Sequence, residues 1–438
     1  MIGNKGNEHM DRFVIEGGHQ LAGAIKPAGN KNAALPLLAA ALLSTKRLVL
    51  HNLPAIGDVQ TKLSLLEKLG VQVERPEAHS VALNAAGLSS ENPDAALCRR
   101  IRTSPLLAGP LLARRGYATL PRPGGDGIGR RRLDTHFLAL RELGTSVEVL
   151  PGSYMLRTDG LRGADIFLDE MSVTGTEQAV LAAVLAKGQT TIGNAASEPH
   201  VQDLCRCLNA MGAKISGIGT NLIEIEGVSS LGSAEHTIGP DFMEVGSLIG
   251  LAAVTRSELR IVGARPRDLR MARLAFGRLG VSWRDEGDDI IVPADQDLQV
   301  RADMHGAIPK LDSAPWPGFP SDLMSTALVV ATQAQGTVLI HEKMFENRLY
   351  FADRLIAMGA RIVICDPHRA VVVGAAQLYG EPDGLPSPDI RAGMALVTAA
   401  LCAKGRSVIY NIGQIDRGYE RIDERLAALG ARIERVRN

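Results

Sequence analysis

Leu65-Leu66-Glu67-Lys68-Leu69-Gly70-Val71-Gln72-Val73-Glu74 decides the fold. A helical pattern stops at Leu69, and Gly70 supplies the left-handed residue that closes a helix. An alternating, β-branched strand begins at Val71. The same punctuation returns at Leu143-Gly144, Met211-Gly212, Leu279-Gly280, Met358-Gly359 and Leu429-Gly430, between 68 and 79 residues apart. Ala213-Lys214-Ile215 and Ala431-Arg432-Ile433-Glu434 are further strands in the same position. Six copies at a nearly constant period mark a repeat architecture.

Working outward, each repeat has an earlier half. An alanine- and leucine-rich helix comes first, then a turn and a short strand. The spans 32–43 then 47–52, 179–186 then 190–193, 325–332 then 337–341, and 393–403 then 407–410 follow this order. Small residues on most faces predict helices buried all round and packed closely by sheets. The unit reads helix, strand, helix, strand, with room for a further strand. Six units predict an α/β protein with helices inside and sheets outside, three units per domain. A solenoid would not need the Pro/Gly punctuation near Ala28-Gly29 and Gly239-Pro240, which reads as domain crossovers.

At 438 residues the chain is too long for one ordinary core, which agrees with two domains. Lysine plus arginine and aspartate plus glutamate both number 48, which argues against nucleic-acid or membrane-surface binding. Any anion site is therefore local. The five cysteines are odd in number and contain no CxxC pair, so neither a disulfide framework nor a zinc site is read. Cys205 and Cys207, on a predicted helix, read as buried thiols. The first ten residues lack the apolar core of a signal peptide, and no apolar run reaches about 18 residues. A cytoplasmic protein is expected.

The chemistry is expected where the buried helices begin. Those places carry Lys31-Asn32, Arg102-Thr103-Ser104-Pro105, Ser172-Val173-Thr174, Glu244, Asp322 and Arg391, at similar distances before the closing glycines. Asn30 or Asn32, and Ser104, read as N-caps, and Pro105 suits a first helical position. Helix starts favour anions through free N–H groups and the dipole. Adding Lys31, Arg102 and Arg391 there predicts a phosphate or carboxylate site. One such arginine is ordinarily a surface ion pair; several at equivalent places favour the functional reading. Asp322 alone is a first-turn acid, but beside cations it becomes a candidate base. The loop Leu120-Pro121-Arg122-Pro123-Gly124-Gly125-Asp126-Gly127-Ile128-Gly129-Arg130-Arg131-Arg132 sets one carboxylate among four glycines before three arginines. That composition suits a mobile cover over an anionic substrate.

These motifs resemble the enolpyruvyl transferases of the UDP-N-acetylglucosamine 1-carboxyvinyltransferase family. The resemblance runs from about Phe13 to the end. It rests on Lys31-Asn32-Ala33-Ala34-Leu35-Pro36, the loop from Pro123 to Arg131, Phe319-Pro320-Ser321-Asp322, Phe345-Glu346-Asn347-Arg348 and Ile415-Asp416-Arg417-Gly418-Tyr419-Glu420-Arg421. It implies a two-domain inside-out α/β barrel, three repeats per domain. Residues 1–9 then form an N-terminal tail, 10–30 and 240–438 a discontinuous second domain, and 31–239 a first domain carrying the mobile loop 121–132. The implied reaction moves the enolpyruvyl group of phosphoenolpyruvate to the 3′-hydroxyl of UDP-N-acetylglucosamine and releases phosphate, committing the sugar nucleotide to peptidoglycan. No metal or organic cofactor is implied, no nucleic acid and no membrane insertion.

By position, the resemblance implies Asp126 as general acid, Asp322 as base, and Lys31 and Arg417 as further catalytic groups. Lys31, Asn32, Arg131, Arg391 and Arg417 are implied for phosphoenolpyruvate, with Arg102 nearby. Asn32, Arg102, Arg131, Asp134, Ser172, Val173, Asp322 and Arg348 are implied for the sugar nucleotide, and Arg348 and Asp389 for support of the second-domain wall. Two departures matter. Most members carry cysteine where this chain has Asp126, although some carry aspartate. The segment Ser172-Val173-Thr174-Gly175-Thr176 differs from the common Gly-Ala form, and Glu170 stands where some members have lysine near the nucleotide phosphates. The alternatives are a carboxyvinyl transferase acting on shikimate 3-phosphate or another nucleotide, and a non-catalytic ligand-sensing paralogue.

Overall fold

Alanine, glycine and leucine fill the central helices so densely that each is enclosed. In the computed structural model, which describes residues 11–437, every residue of the helix Phe242–Val254 is buried. Lys31–Ala40, Met324–Gln333 and Ile390–Cys402 bury all but one residue each. Glycine permits the close packing: a Cβ on Gly250 would lie 2.4 Å from Thr326 Cγ2. The surrounding strands alternate, as in Leu222–Glu226, where only Ile223 and Ile225 are buried. Leu38, Leu42 and Leu111 are completely buried, each contributing about 1.5–3 kcal/mol.

The chain divides into two units. One comprises 11–28, Asp126–Arg130 and 240–437; the other comprises Gly29–Gly125 and Arg131–Gly239. Among the described residues each has its own core and three sheets. The architecture is a two-domain inside-out α/β barrel of six helix–strand repeats, three per domain.

The six closing glycines, Gly70, Gly144, Gly212, Gly280, Gly359 and Gly430, all have φ between 82° and 102°, the conformation L side chains resist. The observed repeat holds more strand than the pattern suggests. After Gly70 the chain forms a hairpin, Gln72–Glu77 with Ser80–Asn84, against Arg47–His51. A fourth strand, Ala234–Thr237, joins in parallel from far along the chain. Among the described residues five sheets have four strands; the sheet of Tyr117–Pro121, Ser153–Arg157 and Ser146–Leu150 has three. Arg12–Glu16 pairs antiparallel with both Arg406–Tyr410 and Arg432–Val436. The expected tail, residues 1–9, lies outside the described residues.

One expected cap is corrected. Asn30 caps Lys31–Ala40, accepting from Ala33 N at 3.0 Å. Ser104 does not cap: it is the first residue of a 3₁₀ turn, Ser104–Leu107, that precedes the helix Ala108–Arg115. The proline ring of Pro105 supports that turn. Cys205 and Cys207 are buried, whereas Cys365 is exposed.

Candidate active site

Among the described residues of the unit holding 240–437, two linked clusters bring predicted groups together. The first is built on Asp322, in the 3₁₀ turn Ser321–Leu323 ahead of Met324–Gln333. Arg348 Nη2 donates to Asp322 Oδ1 at 2.7 Å, and Arg391 Nε donates to Oδ2 at 3.1 Å. Arg348 also reaches Ser321 Oγ at 3.3 Å and lies 3.6 Å from Asp389 Oδ1. Asp389 caps Ile390–Cys402 by accepting from Arg391 N and Ala392 N. Burial pushes the Asp389 carboxyl above its ordinary range, against the pull of Arg348, and Asp126 adds to the rise. The side chains of Arg348, Arg391 and Asp389 are 2%, 5% and 7% exposed, but that of Asp322 is 28%. Asp322 is thus the member of this cluster that a solute can reach.

The second cluster is the Asp126 carboxylate with Arg417, whose Nη1 donates to it and also to Gln414 Oε1 at 2.7 Å. The turn 345–348 fixes the backbone that carries Asp126. Asn347 N donates to Ile128 O at 2.9 Å, Asn347 Nδ2 to Gly127 O at 3.1 Å, and Arg130 N to Glu346 Oε2 at 3.0 Å. Glu244, read as an equivalent helix start, serves the architecture instead, pairing with Arg425 and accepting from Ala28 N at 3.2 Å.

In the other unit, Lys31 opens its helix and pairs with Asp58 at 2.8 Å, both nearly buried. Asn32 is half-buried beside it. Arg102 spans to the backbone of the arginine run, with Nη2 donating to Arg131 O at 2.7 Å and Arg132 O at 3.0 Å. Burial, helped by repulsion from Arg131, lowers the Arg102 guanidinium to about 10. A Cβ on Gly125 would lie 2.9 Å from Arg102 Cβ, so glycine permits that close approach. Ser172 caps the helix Val173–Ala183, accepting from Gly175 N at 3.2 Å. Asp134 opens Asp134–Glu142 and is mostly exposed.

Sequence reasoning missed several partners. Asp169 accepts from Arg132 at 2.7 Å and from Thr135 at 2.6 Å. His136 Nε2 meets Thr174 Oγ1 at 2.9 Å, and burial, with Arg102 nearby, holds the ring down at about 3 and so neutral. Tyr419 Oη accepts from Arg391 at 3.1 Å and meets Ser247 Oγ at 2.9 Å. Asp58, the partner of Lys31, carried a legible signal as an acid in a first helical turn. Among the described residues no group of three or more His, Cys, Asp or Glu could hold a metal ion. No helix there is long and apolar enough to cross a membrane.

A family model described as EPSP synthase (3-phosphoshikimate 1-carboxyvinyltransferase) matches residues 15–426. The UDP-N-acetylglucosamine 1-carboxyvinyltransferase of Treponema denticola is 56% identical over 425 residues, 97% of this chain and 99% of that protein. The chain belongs to the UDP-N-acetylglucosamine 1-carboxyvinyltransferase family. The protein of that name from Bradyrhizobium diazoefficiens is also 56% identical, over 97% of this chain and 98% of its own length. Among solved structures, the enolpyruvyl transferase NikO from Streptomyces tendae superposes with a TM-score of 0.87 at 25% identity, covering 98% of this chain and 99% of that one. EPSP synthase from Acinetobacter baumannii, at 19% identity and a TM-score of 0.72, covers 98% of this chain and all of its own and shares the fold.

Proposed function

We propose that the chain transfers the enolpyruvyl group of phosphoenolpyruvate to the 3′-hydroxyl of UDP-N-acetylglucosamine in the cytoplasm, releasing phosphate and committing the sugar nucleotide to peptidoglycan. The observation that carries this is 56% identity, end to end, with transferases of that name. In the reaction, Asp322 takes the proton of the attacking hydroxyl while Asp126 delivers a proton to the methylene carbon. A C–O bond forms at the central carbon, giving a tetrahedral phospho-ketal. The Asp126 carboxylate then takes back a methyl proton as the C–O bond to phosphate breaks, giving the enol ether and free phosphate. Asp322 suits the base because two guanidinium groups fix its orientation and it is the accessible carboxylate of its cluster. Lys31, Asn32, Arg131, Arg391 and Arg417 take the donor's phosphate and carboxylate, which guanidinium forks match in geometry. Asn32, Arg102, Arg131, Asp134, Ser172, Val173 and Arg348 take the sugar nucleotide.

Phosphate release from phosphoenolpyruvate tests this reading. Release that depends on UDP-N-acetylglucosamine, and is absent with shikimate 3-phosphate, is the expected result. Release with shikimate 3-phosphate alone would reassign the acceptor, and tight binding of both substrates with no release would point to a sensor.

The same assay checks the backbone under Asp126. A methyl on Gly129, which has φ of +143°, would meet Glu346 N at 3.0 Å and its carboxylate at 2.2 Å. Strain of this kind costs about 1–3 kcal/mol. Gly129→Ala is therefore expected to lower kcat/KM roughly 5- to 150-fold. Gly127→Ala, where the added carbon meets nothing within 4 Å, is expected to change it by less than about twofold.

A further inference from the structure

The helix Gly57–Lys68 carries Asp58, which grips Lys31, and one turn later Lys62. Lys62 is completely buried, and its Nζ donates to the backbone carbonyl of Thr103 at 2.9 Å. Thr103 stands immediately before the 3₁₀ turn Ser104–Leu107 and immediately after Arg102. Glu177, buried on the helix whose start carries Ser172 and Val173, attracts Lys62 electrostatically, and its Oε1 makes no hydrogen bond. Cys98 attracts Lys62 as well, and Glu198 faces Glu177.

This arrangement is a poor source of stability. Burial opposes both charges: it brings the Lys62 amine down to about 7 and pushes the Glu177 carboxyl well above its ordinary range. Buried opposite charges of this sort are often no better for stability than apolar residues of similar volume. What apolar residues could not do is hold the Thr103 carbonyl. Leu106 N donates to the same oxygen at 3.2 Å, so the turn itself persists without Lys62. The lysine adds a second anchor to that oxygen.

We propose that Lys62 is a positioning residue for substrate binding: through Thr103 it sets the backbone from which Arg102 reaches the 131–132 carbonyls. One helix thereby organises two of the candidate anion-binding cations of this unit, Lys31 through Asp58 and Arg102 through Lys62. The inference rests on the carboxyvinyl transfer proposed above and names a residue the motifs did not include.

The test is the variant Lys62→Met/Glu177→Leu, which removes both charges and keeps the volume. The expected result is a KM for UDP-N-acetylglucosamine raised about tenfold, kcat within twofold, and a melting temperature at or above that of the parent. In an Arg102→Ala background the same pair of changes should add less than twofold, because the effect passes through Arg102. Glu177→Gln alone, which leaves Lys62 on Thr103, should stay within twofold in KM. An unchanged KM, a lowered melting temperature, or full additivity with Arg102→Ala would each overturn the proposal, the second by showing a merely structural prop. If instead the parent enzyme releases no phosphate with this acceptor, the reaction assignment fails. The positioning claim is then read from hydrogen exchange: amides 102–107 exchange faster in the double variant if it holds and unchanged if it does not.

Discussion

Asp126→Asn turns over about 10²- to 10⁴-fold more slowly than the parent enzyme, the range in which a positioned proton donor contributes. The amide keeps the size of the carboxyl and can still accept from Arg417, but it has no acid proton to give. Substrate affinity should change far less than kcat, since the Arg417 guanidinium remains. Asp126→Cys is the complementary experiment. A thiol is also a proton donor, so this variant is expected to keep turnover. The Cys variant should also be inactivated stoichiometrically by the epoxide fosfomycin, which alkylates the family's cysteine, while the parent resists. A kcat for Asp126→Asn within tenfold of the parent would remove Asp126 from the acid role, and rapid inactivation of the parent would remove the resistance argument.

The parts of this molecule legible in its sequence are those where backbone geometry leaves one residue type. The six glycines after Leu69, Leu143, Met211, Leu279, Met358 and Leu429 could be read because a left-handed helix end admits little else. The buried helices could be read because an alanine-rich face all round has no other use. Some short strands were not legible: Asp165–Phe167 and Lys310–Asp312 hold three residues each, too few for a periodicity. The parallel edge strand Ala234–Thr237 finds its partner at 48–51, a distance over which local pattern carries no information. The site divides in the same way. Lys31, Asp126, Asp322 and Arg417 stand in motifs. The direction in which a long side chain leaves the backbone is a tertiary matter, so Arg391 on Asp322 and Tyr419, Lys31 on Asp58, and Lys62 on Thr103 could not be foreseen. Ser104 reads wrongly as a cap because Thr103 and a 3₁₀ turn occupy the helix entrance; a serine before a proline looks the same in either case.

Arg348→Met is expected to destabilise the unit holding 240–437 by about 3–5 kcal/mol, the usual consequence of removing one partner of a buried charge pair. Arg348 is 2% exposed and serves Ser321, Asp322 and Asp389 at once, with Phe345 stacked near its guanidinium. Asp322 keeps Arg391 in the variant, so the larger loss falls on Asp389, which stays buried without its main counter-charge. The pH dependence identifies that cause. The Asp389 pKa already lies above its ordinary value, with Arg348 the principal influence lowering it; the substitution raises it further. A carboxyl whose folded pKa exceeds its unfolded one binds more protons when folded, so stability falls as pH rises through the folded pKa. The deficit relative to the parent should therefore be smallest in acid, below the unfolded value of about 3.9, and complete above the raised pKa. Asp389→Asn in the same background keeps an N-cap for Arg391 and Ala392 and removes the stranded charge, so it should recover a substantial part of the loss at neutral pH. Arg348→Lys should not substitute, because a point charge cannot donate along three directions in one plane. Denaturant unfolding of these variants between pH 4 and 8 decides the matter: a deficit independent of pH, or no recovery on adding Asp389→Asn, would mean that Arg348 stabilises by packing against Phe345 rather than by neutralising Asp389.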